Sequence, residues 1–244
     1  MRNIRLDLCY AGTRYSGWQR QKVLDNTIQG KLETALSRIL GEPIEVSASG
    51  RTDTGVHARG QVANFHTGSQ MDCAELLKEL RRYLPEDIGI YSCREVSPRF
   101  HARLNALEKT YQYRLWNTAA PCVFERRYVA VMEDRLDLEK MRAGAQLLIG
   151  THDFSAFCAN KKIKKSTVRR LDDVQISRQG EELVFTFTGN GFLYNMVRIM
   201  VGTLIEVGRG ERTVERIPGL FGGKREQAGY LVPAQGLCLM EVTY

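Results

Sequence analysis

The sequence predicts an α+β protein of two successive βαββαβ halves with mainly antiparallel sheets. Three observations carry this expectation. Strand-like alternation and helix-like periodicity recur in the same order twice along the chain. The 244 residues, 43% hydrophobic and 26% charged, suffice for two domains of roughly 100–130 residues, each with its own core. A polar, basic stretch from Phe100 to Lys109 separates the two runs.

In the first run, Ile4, Leu6, Leu8 and Tyr10 alternate with Arg5, Asp7 and Cys9, the pattern of a half-buried strand. Gly12 to Arg20 reads as a loop. Thr27 is a candidate N-cap for a helix with Ile28, Leu32, Ala35, Leu36, Ile39 and Leu40 on one face, and Gly41 ends it. Ile44, Val46 and Ala48 predict a second strand, and Gln61 to His66 a third. Leu76, Leu77, Leu80 and Leu84 line a second helix that stops before Pro85, and Ile88 to Val96 is a fourth strand.

The second run repeats the order. Thr110 to Trp116 alternates as a strand, and Leu138 to Ile149 has helical spacing. Val168 to Ser177 and Leu183 to Thr188 are strands joined by a turn at Gly180. Leu193 to Val207 is an apolar helix, Val214 to Phe221 a short one, and Leu237 to Val242 a closing strand. Each half is thus expected to be ferredoxin-like, 1–104 and 105–244, the two sheets side by side with an active-site cleft between them. No residue-level repeat supports the duplication, which rests on element order alone.

The net charge of +7 favours a polyanionic partner. Lys161, Lys162, Lys164, Lys165, Arg169 and Arg170 place six cations in ten residues. Read functionally, they are phosphate contacts; read structurally, they are a solvated loop. Arg14 and Arg20 lie beside Tyr15 and Trp18, and cations beside aromatic rings suit nucleic acid. The six cysteines show no paired or zinc-like spacing, which reads as reduced packing residues in an intracellular protein. No apolar signal region or run of about 18 apolar residues is present. His57, His66, His101 and His152 lack metal-ligand spacing, and no phosphate-binding glycine loop follows a strand, so neither metal nor nucleotide cofactor is expected.

Gly50-Arg51-Thr52-Asp53-Thr54-Gly55-Val56-His57 is the most chemically loaded stretch. Two glycines allow sharp bends around a carboxylate and an arginine. A surface turn in which Asp53 bonds its own backbone is the plain reading. Asp53-Thr54-Gly55 also matches the triplet of aspartic proteases, whose two aspartates share a proton; one copy here would demand a two-fold dimer, and Arg51 opposes proton sharing. The basic segments alone do not exclude a non-catalytic RNA-binding module built from two ferredoxin-like folds. Tyr111 and Tyr113 share one strand face. Arg198 stands in the most apolar helix, where a guanidinium either seeks a carboxylate or snorkels to solvent.

Gly50 to Ala58 resembles the catalytic motif of the TruA-type tRNA pseudouridine synthases. Gly12 to Gln19, Phe100 to Arg103 with Lys109 to Tyr113, His152 to Phe154, Thr167 to Arg169, Phe192 to Arg198 and Pro233 to Leu237 resemble further segments of that family, in family order over nearly the whole chain. One departure is Ala11, where an aspartate usually precedes Gly-Thr. The resemblance implies isomerisation of uridine to pseudouridine in the tRNA anticodon stem-loop, at tRNA positions 38, 39 and 40, by a cytoplasmic homodimer that needs no cofactor or metal. It implies Asp53 as nucleophile and Tyr111 against the target base as proton-transfer partner. It further implies Arg198 paired with the Asp53 carboxylate and Arg51 on the flipped nucleotide. Arg14, Lys161, Lys162, Lys164 and Lys165 are the expected RNA-backbone contacts.

Overall fold

The alternating start of the chain forms β1 (Arg2–Tyr10), with Ile4, Leu6, Leu8 and Tyr10 all buried. The computed structural model describes residues 1–21, 26–160 and 165–244. The Thr27 hydroxyl accepts from Gly30 N at 3.2 Å to cap α1 (Ile28–Leu40), which ends at Gly41 with φ +73°. After β2 (Ser47–Ala48) and β3 (His57–Thr67), Asp72 caps α2 (Cys73–Tyr83), and β4 (Ile88–Val96) follows Pro85. The strands run β4-β1-β3, with β2 also on β3, and every pair among them is antiparallel. The helices α1 and α2 touch each other, and α2 packs on β4.

The strand expected from Ile44 shrinks to two residues for a specific reason. Ile44 N donates to Ser37 Oγ at 3.0 Å, Val46 N to Glu33 Oε1 at 3.1 Å, and Gln29 Nε2 to Val46 O at 3.1 Å. Side chains of α1 therefore take the backbone groups that a sheet ladder would have used. The Lys22, Val23, Leu24 and Asp25 segment lies outside the described residues.

The second run begins with β5 (Glu108–Trp116), β6 (Ala130–Val131), α3 (Leu138–Gln146) and β7 (Gly150–Asp153). It continues with β8 (Val168–Gln179), β9 (Glu182–Gly189) and α4 (Met196–Gly208). The order β5-β9-β8-β7 is antiparallel, and β6 adds a short parallel pairing on β5. The α3 helix ends before the expected Ile149, and Gly150 (φ +116°) opens the unforeseen β7. The α4 helix starts at Met196, three residues later than its apolar periodicity suggests, because Asn195 holds a left-handed φ of 61°. The expected helix over Val214 to Phe221 is two single 3-10 turns, Val214–Arg216 and Pro218–Leu220, parted where Pro218 lacks an N–H.

The closing strand β10 (Leu237–Thr243) runs parallel to β3, pairing Cys238 with His57 and Leu239 with Ala58. The short β2 reaches only Asn64 and Ala63, which leaves the His57–Ala58 end of β3 to β10. The chain accordingly divides into two compact units, Met1–Leu107 with Cys238–Tyr244, and Glu108–Leu237. Element order alone puts residues 238–244 with the second half; in the structure they lie in the first unit. Among the described residues, no helix is long and apolar enough to cross a membrane.

Candidate active site

Asp53 lies on the loop that enters β3, half-buried, and opens a tight turn closed by Val56 N donating to Asp53 O at 3.1 Å. Gly55 takes φ +80° at the third turn position, where a side chain is disfavoured. The Gly12 to Trp18 loop presses against this turn through its main chain. Trp18 N donates to Thr52 O at 2.9 Å, and Gly12 N to His57 Nδ1 at 3.0 Å. An accepting Nδ1 puts the ring hydrogen of His57 on Nε2. A Cβ on Gly12 would sit 1.9 Å from Val56 O, and one on Gly17 2.8 Å from Thr52 O. Both approaches require glycine.

Behind the loop lies a cluster of buried polar groups. Tyr10 ends β1, and its hydroxyl is 2.8 Å from Thr52 Oγ1. Gln61 Nε2 donates to Tyr10 Oη at 3.2 Å and to Gly50 O at 3.0 Å. Its Oε1 accepts from Ser49 Oγ at 2.6 Å and from Val62 N at 3.2 Å. Ser49, Thr52, Tyr10 and Gln61 are all buried. Burial pushes the Tyr10 phenol well above its usual range, so it stays neutral.

Arg51 and Arg14 are exposed, Arg14 at the end of the 3-10 turn Gly12–Arg14. Ala11, before that turn, has no side-chain cap to offer it, and its N–H goes to Asp87 O at 2.9 Å. These residues and Asp53 belong to the first unit; Tyr111, Arg198 and Lys165 belong to the second. Tyr111 is 8% exposed on β5 and meets Phe192 edge-on, ring centroids 5.0 Å apart. Arg198 is half-buried in the first turn of α4, its Nε donating to Val232 O at 2.8 Å and its Nη1 to Asn195 Oδ1 at 3.0 Å. Lys165 is exposed, while Lys161, Lys162 and Lys164 lie outside the described residues. His152 stacks on Phe221 at 4.0 Å and faces Ile149 O at 3.0 Å, a packing role. Among the described residues, no group of three His, Cys, Asp or Glu is placed to hold a metal ion.

A family model described as tRNA pseudouridine synthase matches residues 9–104 and 145–244, both the Asp53 loop and the Arg198 helix included. The chain belongs to the tRNA pseudouridine synthase family. It is 43% identical to the tRNA pseudouridine synthase A 2 of Bacillus cereus over 245 aligned residues, covering 100% of both chains. It is 44% identical to the tRNA pseudouridine synthase A of Bacillus sp. (strain KSM-64) and 43% to that of Acetivibrio thermocellus, again with 100% of each chain covered. Members of this synthase family are isomerases, so the protease and the stand-alone RNA-binding readings fall away. Sequence reading assigns no site role to Tyr10, Gln61 and Thr52, which bond one another behind the loop, or to Phe192, which meets Tyr111. A signal for Gln61 exists: it stands opposite Leu8, an inward-facing position where an amide needs partners.

Proposed function

We propose that this chain converts uridine to pseudouridine in the anticodon stem-loop of tRNA, at positions 38, 39 and 40, through the Asp53 carboxylate. The observation that carries the reading is the placement of Asp53. It stands on a turn held through main-chain contacts on both sides, within a stretch that the family model covers. The reaction breaks the N1–C1′ bond, rotates the uracil and joins C5 to C1′; the C5 proton leaves and N1 gains one. No atoms are gained or lost overall, and a carboxylate suffices to take up C1′ in the interval. The target base must leave the stack, which costs a few kcal/mol.

In this reading Tyr111 lies against the base and relays the proton from C5. Arg198, its guanidinium bonded to the Val232 carbonyl, is read as the partner of the Asp53 carboxylate. Arg51, exposed beside Asp53, holds the flipped nucleotide. Arg14 and Lys165, both exposed, and with them Lys161, Lys162 and Lys164, meet the RNA backbone. A groove of about 570 Å³ bordered by Arg20, Lys31, Arg38 and Tyr83 adds cations and an aromatic ring to the first unit's surface.

Both units are read as ferredoxin-like: the β4-β1-β3 order with β2 on β3 follows that pattern in the first. The functional form is read as a cytoplasmic homodimer. Exposed Val123 and Phe124 (93% exposed), with Tyr128 and Val131, give the second unit apolar surface of the kind a second copy covers. The deciding experiment is Asp53→Asn. Tritium release from tRNA carrying 5-tritiated uridine should vanish while tRNA binding persists. Wild-type turnover by that variant would overturn the assignment.

A further inference from the structure

We infer that Tyr10 and Gln61 are positioning residues for the reaction, a buried relay that fixes Thr52 and thereby sets where the Asp53 carboxylate stands. The inference rests on the assignment of Asp53 above. Its own support is the direction of the hydrogen bonds.

The amide of Gln61 is fully buried, and its orientation is decided by its neighbours. Ser49 Oγ and Val62 N both donate to Oε1, so the NH2 must face Gly50 O and the Tyr10 oxygen. The Tyr10 oxygen therefore receives a hydrogen, and its own single hydrogen goes on to Thr52 Oγ1. The relay is polarised from Ser49 through Gln61 and Tyr10 to Thr52, the residue before Asp53. Thr52 is held a second time through its carbonyl by Trp18 N, and Asp53 is held on its other side by Val56 N. Each link is buried and neutral, so none is competed away by water. A loop of polar residues and glycines has no apolar side chain of its own to anchor residues 50–54; the relay supplies that anchor from β1 and β3.

The test uses Tyr10→Phe and Gln61→Leu in the full-length protein, with kcat, KM and tRNA dissociation constant measured beside backbone amide exchange. A 1 Å displacement of a reacting group costs on the order of 100-fold in rate, so kcat should fall roughly 10- to 100-fold. KM and tRNA affinity should stay within about twofold, because no RNA-facing group changes. Exchange at the Trp18 and Val56 amides should quicken about tenfold, a readout that does not depend on chemistry. Thr52→Ser, which keeps the hydroxyl, should retain wild-type kcat, and Thr52→Val should lose it. This pair tests the relay even if Gln61→Leu fails to fold. Wild-type kcat and exchange in Tyr10→Phe, or equal losses in both Thr52 variants, would overturn the inference. Active Asp53→Asn alongside lost amide protection in Tyr10→Phe would instead sink the role of Asp53 and leave the relay as the loop's anchor.

Discussion

Replacing Gly12 with alanine adds one carbon, and the structure says where it goes. The new Cβ lies 1.9 Å from Val56 O and 2.6 Å from Val56 C. Cβ contacts below 3.0 Å essentially do not occur, so one of the two loops must move by about 1 Å or more. Gly12 cannot simply retreat, because its N–H is held by His57 Nδ1 at 3.0 Å. Val56 is tied to Asp53 by the turn hydrogen bond, so the displacement passes to the carboxylate. A shift of that size is worth on the order of 100-fold in kcat, about 2.7 kcal/mol of barrier. Gly41→Ala is the control. Gly41 has φ +73°, and a Cβ there would meet nothing within 4 Å, so its cost is about 1–2 kcal/mol of conformational strain at the end of α1. Single-turnover tritium release, tRNA binding and thermal unfolding should be measured on both. Gly12→Ala should lose kcat with tRNA affinity retained, and Gly41→Ala should lose only stability. A folded Gly12→Ala enzyme with wild-type kcat would refute the argument that this close approach positions Asp53.

Three further outcomes follow from other parts of the structure. Tyr111→Phe keeps the edge-on contact with Phe192, so stability should hold while kcat falls at least about tenfold for loss of a proton-transfer group; unchanged kcat would exclude the hydroxyl from the chemistry. Thr203 is buried, accepts from Gly229 N at 2.9 Å and donates to Ile199 O at 2.9 Å. The near-isosteric Thr203→Val strands the Gly229 N–H and should cost about 1–3 kcal/mol in urea unfolding; a loss near zero would show that the amide finds another partner. The Thr67 hydroxyl and the Gly68 and Ser69 amides hold the Glu42 carboxyl below its ordinary 4.5. A depressed folded-state value stabilises above the unfolded pKa and is lost as pH falls through the folded one. Glu42→Gln should therefore unfold more easily at neutral pH, the deficit closing under acid; a deficit constant with pH would contradict the charge-assisted bonds.

What can be read from the sequence follows how local each signal is. Thr27 and Gly41 bound α1 through hydrogen bonding and backbone sign at single positions, and both act as expected. The strand expected over residues 44–48 shortens to Ser47–Ala48 because Gln29, Glu33 and Ser37, on a helix earlier in the chain, bond the backbone of Ile44 and Val46; no window around Ile44 contains that information. The apolar periodicity of α4 runs unbroken through Asn195, whose left-handed φ delays the start of the helix but leaves no trace in the pattern. The destination of β10 depends on an edge of β3 that β2 is too short to fill, a consequence of the whole first unit. Asp53 stands out through the resemblance of residues 50–58 to the family motif, since its flanking glycines alone suit a plain turn. Tyr10 and Gln61 are not, since only the β1–β3 register brings them behind it.

The restraints on the Asp53 loop also divide its residues by side. Thr52, Val56 and His57 are buried and bonded or packed inward, whereas Arg51 and Thr54 are exposed. The inward residues meet glycines of the neighbouring loop and the phenol of Tyr10, contacts made by main chain or by neutral groups. Such contacts are insensitive to salt, whereas the RNA contacts proposed for exposed Arg51 and Arg14 would weaken as counterions compete. Rising salt should therefore weaken tRNA binding and leave the geometry of the carboxylate unchanged. In kinetic terms the salt dependence belongs in KM, and kcat at saturating tRNA should stay level across the same range. A kcat that fell in parallel with affinity would mean that Asp53 is positioned by its charged neighbours instead of by the buried relay and the glycine contacts.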